Sequence, residues 1–341
     1  MNDTINPADS GFYMPAEWEQ HSKTWMAWPC REEMWTDGDA TARNYAAVAN
    51  TIAEFEPVNM VVPHHLLEQA GKLLSEGVHI VALPIDDSWA RDSGPNFLIN
   101  HRGELAGCCW RFNAWGENYH PYDQDALLGK RILEHENCQV FTSSLVAEGG
   151  GITVDGEGTV ITTETCFLNN NRNPDWTKAE VEKELLRSLG AEKVIWLPGD
   201  EEEVETNGHV DGIAAFVEPG VVLMEIGKDE NDPYYETSEM NVDAIRGMKD
   251  ARGRELRLEF ICTGDYTKAD GERDCRSYIN SFLANGAVIV PGYEDERDEG
   301  AVETYRRLYP EREIVQVPIL AIAEGGGGIH CITQQQPEPG R

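Results

Sequence analysis

Amphipathic helical patterns alternate with short apolar runs along most of the chain. Helical periodicity begins near His64, Asp123, Thr177, Met240 and Asp295, and a further helix is predicted at residues 41–54. Thr177 and Glu180 form the capping-box pattern that is typical of a helix start. Strands are predicted at residues 80–85, 97–99, 140–142, 159–163, 194–197, 221–225, 256–261, 287–290 and 314–317.

The five helical patterns are spaced almost evenly, at intervals of about 59, 54, 63 and 55 residues. Each is followed by predicted strands, so the pattern indicates five helix-and-strand units. Repeated units of this kind pack on their neighbours and depend on them for stability. Because no Pro/Ser-rich linker divides the chain, we expect one domain over residues 1–341, in which five units close into a ring.

Residues that could carry chemistry fall at similar positions within these units. Asp92, Glu148 and His209 follow their helix starts by 28, 25 and 32 residues, and Glu324 and Cys331 follow the last start by 29 and 36 residues. If the units surround an axis, equivalent positions meet near that axis. The repeat therefore predicts one central site.

Cysteine supplies the candidate nucleophile of this site. The eight cysteines are Cys30, Cys108, Cys109, Cys138, Cys166, Cys262, Cys275 and Cys331. They are scattered without a CxxC pair, as is typical of free thiols. Most such cysteines are small buried hydrophobic residues, but Cys331 follows a four-glycine run and His330. Neighbours in a strand point to opposite faces, so we expect the partner of Cys331 to be His209 rather than His330.

Residues 205–212 (ETNGHVDG) form the first polar constellation. If this segment is extended, Glu205, His209 and Asp211 share one face. Acids on both sides stabilise the cationic form of a histidine, which suits a proton donor to a leaving amine. The alternative is a paired surface histidine. No HxH, HxxxH or clustered Cys/His spacing indicates a metal site, so neither metal nor cofactor is predicted.

Residues 86–95 (DDSWARDSGP) form the second constellation. Asp92 could receive a planar cation through two parallel hydrogen bonds, and Trp89 could lie along an aliphatic chain. The alternative is a structural turn with an internal Arg–Asp pair. The sequence Glu-Gly-Gly-Gly also occurs twice, at residues 148–151 and 324–327, where glycine lets the backbone approach a ligand closely. No Lys-Ser/Thr follows either copy, which excludes a phosphate loop.

The charge balance restricts the partners. With 61 acidic and 28 basic residues the net charge is −33, which disfavours nucleic acid and favours small cations. A solvated surface tuned for solubility is the alternative explanation. No apolar run approaches the ~20 residues of a membrane span, and the N-terminus lacks a signal-peptide pattern. We therefore expect a cytoplasmic protein without membrane contact.

These motifs resemble those of the agmatine deiminase family, within the guanidine-modifying enzymes that include bacterial peptidylarginine deiminases. The matching segments are residues 14–18, 25–29, 89–95, 112–116, 148–151, 171–174, 205–211, 284–287 and 328–337. The resemblance implies a single guanidine-modifying catalytic domain with an α/β fold, a five-bladed propeller of pseudo-fivefold symmetry known as the pentein fold. It also implies a homo-oligomer, either dimer or tetramer, and no cofactor.

The resemblance also implies a role for each site residue. Cys331 corresponds to the nucleophile, His209 to the general acid/base, Asp92 and Asp211 to the guanidinium-binding carboxylates, Glu148 to a further acid, and Trp89, Trp115 and Glu205 to substrate-binding residues. The implied reaction converts agmatine to N-carbamoylputrescine and ammonia through a covalent cysteine intermediate. The alternatives are a deiminase of free arginine, peptidyl arginine or another guanidino-amine, an amidinotransferase, and a catalytically inactive polyamine-binding protein.

Overall fold

The computed structural model describes residues 6–264 and 276–340, so Cys275 lies outside the described residues. The strands are β1 (Phe12–Tyr13), β2 (His21–Ala27), β3 (Val58–Val62), β4 (Val78–Ala82), β5 (Asn96–Asn100), β6 (Leu105–Arg111), β7 (Gln139–Val146), β8 (Thr153–Val154), β9 (Thr159–Thr163), β10 (Lys193–Leu197), β11 (Ala214–Glu218), β12 (Val221–Ile226), β13 (Arg257–Cys262), β14 (Phe282–Ala284), β15 (Ala287–Gly292), β16 (Glu313–Pro318) and β17 (Thr333–Pro337). The helices are α1 (Gly38–Ile52), α2 (Leu67–Leu73), α3 (Ala90–Ser93), α4 (Ala114–Glu117), α5 (Leu128–His135), α6 (Glu164–Phe167), α7 (Lys178–Leu189), α8 (Tyr235–Ile245), α9 (Asp298–Leu308) and α10 (Leu320–Ala323).

Within the described residues the strands form five sheets with one shared plan. The orders are β1-β5-β6-β7, β8-β9-β10, β11-β12-β13, β14-β15-β16 and β17-β2-β3-β4. In each sheet an antiparallel pair is followed by a parallel one, and the parallel pair is joined through a helix: α1, α5, α7, α8 or α9. A parallel pair requires such a crossover connection. The predicted α/β fold of five similar units is confirmed.

The fifth sheet joins the two ends of the chain. Strand β17 pairs antiparallel with β2, with Thr333 opposite Met26 and Gln335 opposite Thr24. The indole Nε1 of Trp25 also donates to Gln336 Oε1 at 2.8 Å. This pairing holds the turn that contains Cys331 against the first unit, so formation of the site depends on closure of the ring.

The structure corrects the first repeat interval. The helical pattern near His64 is a short 3-10 turn followed by α2, and it does not connect the parallel strands of its sheet. The crossover helix of that unit is α1, predicted as the separate helix at residues 41–54. An additional strand, β4, pairs parallel to β3 and lengthens this unit. Amphipathic periodicity reports which face of a helix is buried, not which strands the helix connects.

Several buried strands are absent from the sequence prediction, namely β2, β3, β6, β11 and β17. Strand β17 (TQQQP) shows the reason most clearly, because all five of its residues are buried although four are polar. Backbone pairing with β2, rather than apolar alternation, makes this segment a strand. A hydrophobic pattern cannot reveal a strand of this kind.

Apolar side chains fill the space between the sheets and their helices, whereas the centre of the ring is polar. Trp25, Trp28 and Tyr45 are fully buried in the apolar layers. Charged groups such as Arg91 and Glu148 are equally buried at the centre. No helix in the described part of the chain is long and apolar enough to cross a membrane.

Thr177→Ala should destabilise the N-terminus of α7 and so lower the free energy of unfolding. Thr177 accepts from the backbone of Glu180, and the Glu180 carboxylate accepts from Thr177 N at 2.8 Å, so the predicted capping box is present. Loss of such a cap costs roughly 0.5–2 kcal/mol, measurable as a lower urea midpoint with an unchanged m-value. Thr304→Ala inside α9 is the matched control and should change stability by less than about 0.5 kcal/mol. Equal effects of the two substitutions would contradict the capping role.

Candidate active site

The predicted catalytic residues lie in the connections that lead into the first strand of four sheets. They are Asp92 in α3 ahead of β5, Glu148 ahead of β8, His209 and Asp211 ahead of β11, and Cys331 ahead of β17. These connections occupy the same place in every unit, so the repeat brings their side chains together at the centre. The structure thus assembles all five residues in one buried cluster.

The remaining unit contributes Asn280, which lies two residues ahead of β14 and is absent from the sequence prediction. Asn280 Nδ2 donates to Cys331 Sγ at 3.2 Å, and Asn280 Oδ1 accepts from Cys331 N at 3.2 Å. Every unit therefore supplies a polar side chain to the centre. Asn280 follows the fourth helix start, Met240, by 40 residues, against 25 to 36 for the predicted residues, so the repeat phase alone did not identify it.

Cys331 is almost completely buried, with 9% of its surface exposed. Its Sγ lies 3.7 Å from Asp211 Oδ2, and its carbonyl accepts from Arg91 N at 3.1 Å. The thiol is therefore held by backbone and side-chain contacts on several sides. One remaining side faces a cavity.

His209 belongs to a chain of alternating charges that begins at Arg172. Arg172 Nε donates to Glu148 Oε1 at 2.7 Å, Glu148 Oε2 lies 3.3 Å from His209 Nε2, and His209 Nδ1 lies 3.8 Å from Asp92 Oδ1. Burial acts to raise the pKa of Glu148, but Arg172 and His209 hold it at about 2. Burial acts to lower the pKa of His209, but Asp92 and Glu148 raise it well above its usual value. The imidazole is consequently held as a cation.

A second chain of the same composition reaches Asp211. Arg91 Nη1 lies 3.4 Å from Glu17 Oε1, the same oxygen lies 2.8 Å from His330 Nε2, and His330 Nδ1 lies 2.8 Å from Asp211 Oδ2. Burial acts to raise the pKa of Asp211, but the hydrogen bond and charge of His330 lower it below its usual value. Each chain runs Arg–Glu–His–Asp and ends in an aspartate at the site. Sequence reasoning missed Glu17 and Arg172 because their partners lie far along the chain.

Asp92 is held from two directions. Gly150 N donates to its Oδ1 at 2.9 Å and Trp115 Nε1 donates to its Oδ2 at 2.8 Å. Burial raises the pKa of Asp92, and the neighbouring charges of Asp211 and Glu148 act in the same direction. An added cation would relieve this accumulation of negative charge.

The Glu-Gly-Gly-Gly segments allow close approach rather than phosphate binding. A Cβ on Gly150 would lie 2.6 Å from His209 Nδ1 and 2.8 Å from Asp92 Oδ1. A Cβ on Gly327 would lie 2.3 Å from the ring of Trp89. Only glycine fits at these positions, because side chains of the site occupy the space that a Cβ needs.

A cavity of about 610 Å³ leads from the surface to His209, Asp211 and Cys331. A smaller adjoining pocket, which also reaches Cys331, is bordered by the predicted substrate-binding residues Trp89, Trp115 and Glu205, together with Met34, Tyr119 and Asp92. The lining also includes Glu33, Asp200, Glu202, Glu203 and Glu324 and contains no lysine or arginine among the described residues. Tyr119 OH donates to Glu205 Oε2 at 2.6 Å near the mouth. The shape and negative charge of the cavity suit an elongated cation.

Two local interpretations of the sequence were wrong. The segment that contains Glu205, His209 and Asp211 is not a strand, because it consists of bends followed by a 3-10 turn. His330 and Cys331 likewise lie in a turn ahead of β17. The two ring nitrogens of His330 are directed to Asp211 and Glu17 rather than to the thiol. Strand alternation is therefore not the reason for that orientation.

A buried thiol, a cationic imidazole and paired carboxylates beneath an acidic cavity define the class of guanidine-modifying enzymes. The chain belongs to the Porphyromonas-type peptidyl-arginine deiminase family, whose model matches residues 13–337. It is 41% identical to the agmatine deiminase of Ectopseudomonas mendocina, over 98% of both chains. It superposes on the solved agmatine deiminase of Enterococcus faecalis with a TM-score of 0.95 and 36% identity, over 99% of both chains.

An enzyme of much lower sequence identity also shares this fold. A solved dimethylarginine dimethylaminohydrolase shares it with a TM-score of 0.52 and 14% identity, over 93% of this chain and all of the other.

Gly150→Ala should disable the site while leaving the fold intact. The new methyl group would displace His209 or Asp92, and a misplacement of about 1 Å can cost about 100-fold in rate. We expect a loss of that order in kcat for ammonia release from a guanidine substrate. Gly300→Ala, in α9 and outside the cavity lining, is the control, because its Cβ would meet no atom within 4 Å. An unaltered kcat in the Gly150 variant would show that His209 and Asp92 do not need this close approach.

His330→Gln should move the acidic limb of the kcat/KM profile to higher pH. The depressed pKa of Asp211 keeps its carboxylate ionised as the pH falls, and loss of the His330 charge raises that pKa. Asp211 would then take up a proton, and lose its affinity for a cation, at a higher pH than in the unmodified protein. His64→Gln at an exposed turn is the control. An acidic limb that does not move would exclude His330 as the group that keeps Asp211 ionised.

Proposed function

We propose that this protein is an agmatine deiminase that hydrolyses agmatine to N-carbamoylputrescine and ammonia. The observation that carries the proposal is the convergence of Cys331, His209, Asp92 and Asp211 beneath a cavity lined by acids. The relatives named above, at 41% and 36% identity over nearly the whole chain, support the same activity.

In this mechanism Asp92 and Asp211 bind the guanidinium group. Carboxylates receive this planar cation through charge-assisted hydrogen bonds. The contacts to Trp115, Gly150 and His330 orient both carboxylates before the substrate arrives. Such preorganisation places the central carbon of the guanidinium near Cys331 Sγ at little additional entropic cost.

The balance of buried charges favours the thiolate form of Cys331 only when substrate is bound. Without substrate the two Arg–Glu–His–Asp chains contain four carboxylates and four cations, with both histidines protonated. A guanidinium adds one positive charge to this buried centre. Loss of the Cys331 proton restores neutrality, so binding of the substrate cation promotes formation of the nucleophile.

The reaction then proceeds in two balanced halves. The Sγ–C bond forms as Cys331 attacks the central carbon, and the C–N bond breaks as His209 donates its proton to departing ammonia. The product of this half is a covalent amidino-thioether. Water then loses a proton to His209 and attacks the same carbon. Cleavage of the C–S bond releases the ureido product, and the hydroxyl proton of the adduct passes to the leaving sulfur, which restores the Cys331 thiol.

The raised pKa of His209 suits this double role. Its imidazolium is available as a proton donor when ammonia leaves. Formation of the neutral adduct removes the negative charge of the thiolate, and proton transfer removes the positive charge of the imidazolium. His209 then becomes a base beside the carbon that water attacks. Glu148, held ionised by Arg172, keeps the ring oriented throughout.

The far end of the cavity favours an amine over a carboxylate. Glu205 and Tyr119 form a hydrogen-bonded pair near the mouth, where the distal ammonium of agmatine would bind Glu205. The lining residues named above include no cation that could bind the α-carboxylate of arginine. Free arginine, which carries an α-carboxylate, and peptidyl arginine, which lacks a free distal ammonium, are therefore weaker candidates. Another guanidino-amine would offer the same two cations as agmatine and would differ in the length of chain between them. An amidinotransferase would transfer the amidino group to added acceptor amines.

Two further elements of the proposal concern the cellular form of the protein. A cytoplasmic location agrees with the free thiols at the seven described cysteines. Self-association as a dimer or tetramer rests on the family resemblance, and light scattering tests it directly.

Cys331→Ser should lower the release of ammonia from agmatine by roughly 10³-fold or more, because the nucleophile is lost. Cys138→Ser, at a half-buried thiol outside the site, should retain activity. Far-UV circular dichroism must show that both variants are folded. Substantial turnover by the Cys331 variant would reject the mechanism, and tight calorimetric binding of agmatine without product by the unmodified protein would favour the polyamine-binding alternative.

A comparison of substrates tests the specificity. We expect kcat/KM for agmatine to exceed that for arginine and a blocked arginyl peptide. Glu205→Gln should raise KM for agmatine more than it lowers kcat, because the pair at the mouth binds ground state and transition state alike. A preference for arginine or the peptide would reassign the substrate.

A further inference from the structure

Cys166 lies directly behind His209 and takes no part in the mechanism above. Glu148, Cys166 and His209 each offer one ligand atom, and these atoms lie within 4.8 Å of one another. Cys166 Sγ is 3.8 Å from Glu148 Oε2, and the same oxygen is 3.3 Å from His209 Nε2. All three side chains are buried. They come from positions 18 to 61 residues apart, so spacing along the sequence could not reveal the cluster.

These distances are close to the edges of a zinc tetrahedron. With bonds of about 2.0 Å to nitrogen and oxygen and about 2.3 Å to sulfur, tetrahedral geometry places N and O about 3.3 Å apart and S and O about 3.5 Å apart. The two observed separations, 3.8 Å from sulfur to oxygen and 3.3 Å from oxygen to nitrogen, are close to these values, and the third pair of atoms lies within 4.8 Å. One thiolate, one imidazole and one carboxylate form a mixed donor set that zinc accepts well.

The surrounding residues orient the three ligands. Arg172 donates to Glu148 Oε1, so Oε2 remains directed toward Cys166 and His209. Asp92 faces the opposite nitrogen of His209 at 3.8 Å. Carboxylates behind histidine ligands and hydrogen bonds to ligand carboxylates are the usual support of metal sites. Of the three ligands, His209 also lines the 610 Å³ cavity.

We propose that Glu148, Cys166 and His209 form an inhibitory zinc site, in which Zn²⁺ displaces one proton from the Cys166 thiol and one from the His209 imidazolium. Both protons pass to solvent as the Zn–S and Zn–N bonds form. The buried charge is unchanged, since one dication replaces two protons. Zinc would bind His209 Nε2, the nitrogen that faces Glu148, and the ring could no longer release and take up a proton during turnover. This consequence for turnover rests on the proposed function.

Cobalt(II) binding tests the site independently of activity. Cys331→Ser serves as the background, because Cys331 and Asp211 are the nearest competing thiol–carboxylate pair. After removal of metals with a chelator, we expect one equivalent of Co²⁺ to give a thiolate-to-cobalt charge-transfer band in this variant. The band should disappear in Cys166→Ser/Cys331→Ser and persist in Cys108→Ser/Cys331→Ser, whose additional change removes another buried thiol. Absence of the band in the background variant, or its persistence without Cys166, would overturn the proposal.

Inhibition tests the consequence for turnover. Zn²⁺ should inhibit ammonia release by the otherwise unmodified protein, and a chelator should reverse the inhibition. Loss of a residue that merely supports a metal ligand costs roughly 10- to 100-fold in affinity, so Cys166→Ser should weaken inhibition by more than about 10-fold. Equal sensitivity of the two proteins would overturn the inhibitory role. If no guanidine is hydrolysed at all, the proposed function fails, whereas the cobalt experiment still decides the metal site.

X-ray absorption covers the case in which the Cys166 variants do not fold. Zinc-loaded Cys331→Ser protein should show one sulfur neighbour at about 2.3 Å together with nitrogen or oxygen neighbours. If the neighbours of zinc include no sulfur, the proposal is overturned. This experiment leaves all three proposed ligands unaltered.

Discussion

The pairing of buried charges at the centre of the ring is the constraint on which the site depends. Each of the two Arg–Glu–His–Asp chains alternates in sign from the protein interior to the cavity. An isolated buried charge is very costly, and a pair becomes tolerable only with close geometry and additional hydrogen bonds. The chains meet this condition except at Arg91 Nη2, which is buried without a hydrogen-bond partner in the described part of the chain. They leave two aspartates facing the substrate cavity. The same alternation holds His209 protonated and Asp211 ionised, so the electrostatic structure and the proposed chemistry have one origin.

This charge pattern requires a closed ring. Arg91 belongs to one unit, Asp211 to another and His330 to the segment that precedes the last strand. They meet because β17 pairs with β2 and brings the end of the chain against its beginning. Closure also places Cys331 beside Asn280 and Asp211. The nucleophile is therefore positioned by the last long-range pairing along the chain, and the glycines beside it allow the backbone and the aromatic rings to approach it.

Local features of the fold could be predicted from the sequence, whereas long-range strand pairings could not. Helix α7 begins where its capping box predicts, because the cap is a local interaction between Thr177 and Glu180. The five-unit organisation was also predicted, since each unit requires an amphipathic helix. The identity of the crossover helix in the first unit was wrong, and β17 was absent from the prediction. Both depend on which strands pair over long distances, and side-chain periodicity contains no information about that pairing.

The sequence alone determined the reactive residue types, their common position in the repeat and, through the family resemblance, their expected roles. The residue types are visible in the sequence because a nucleophile, an acid/base and the carboxylates must each be a particular side chain. Their common position is visible because a structural repeat recurs at regular intervals along the chain. Only the tertiary structure decided which histidine pairs with which carboxylate, that Asn280 contacts the thiol, and that Cys166 lies behind His209. These contacts join residues from different units, and their distances follow from how the sheets pack around the centre. Cys166 was one of eight scattered cysteines in the sequence; its neighbours make it a candidate metal ligand.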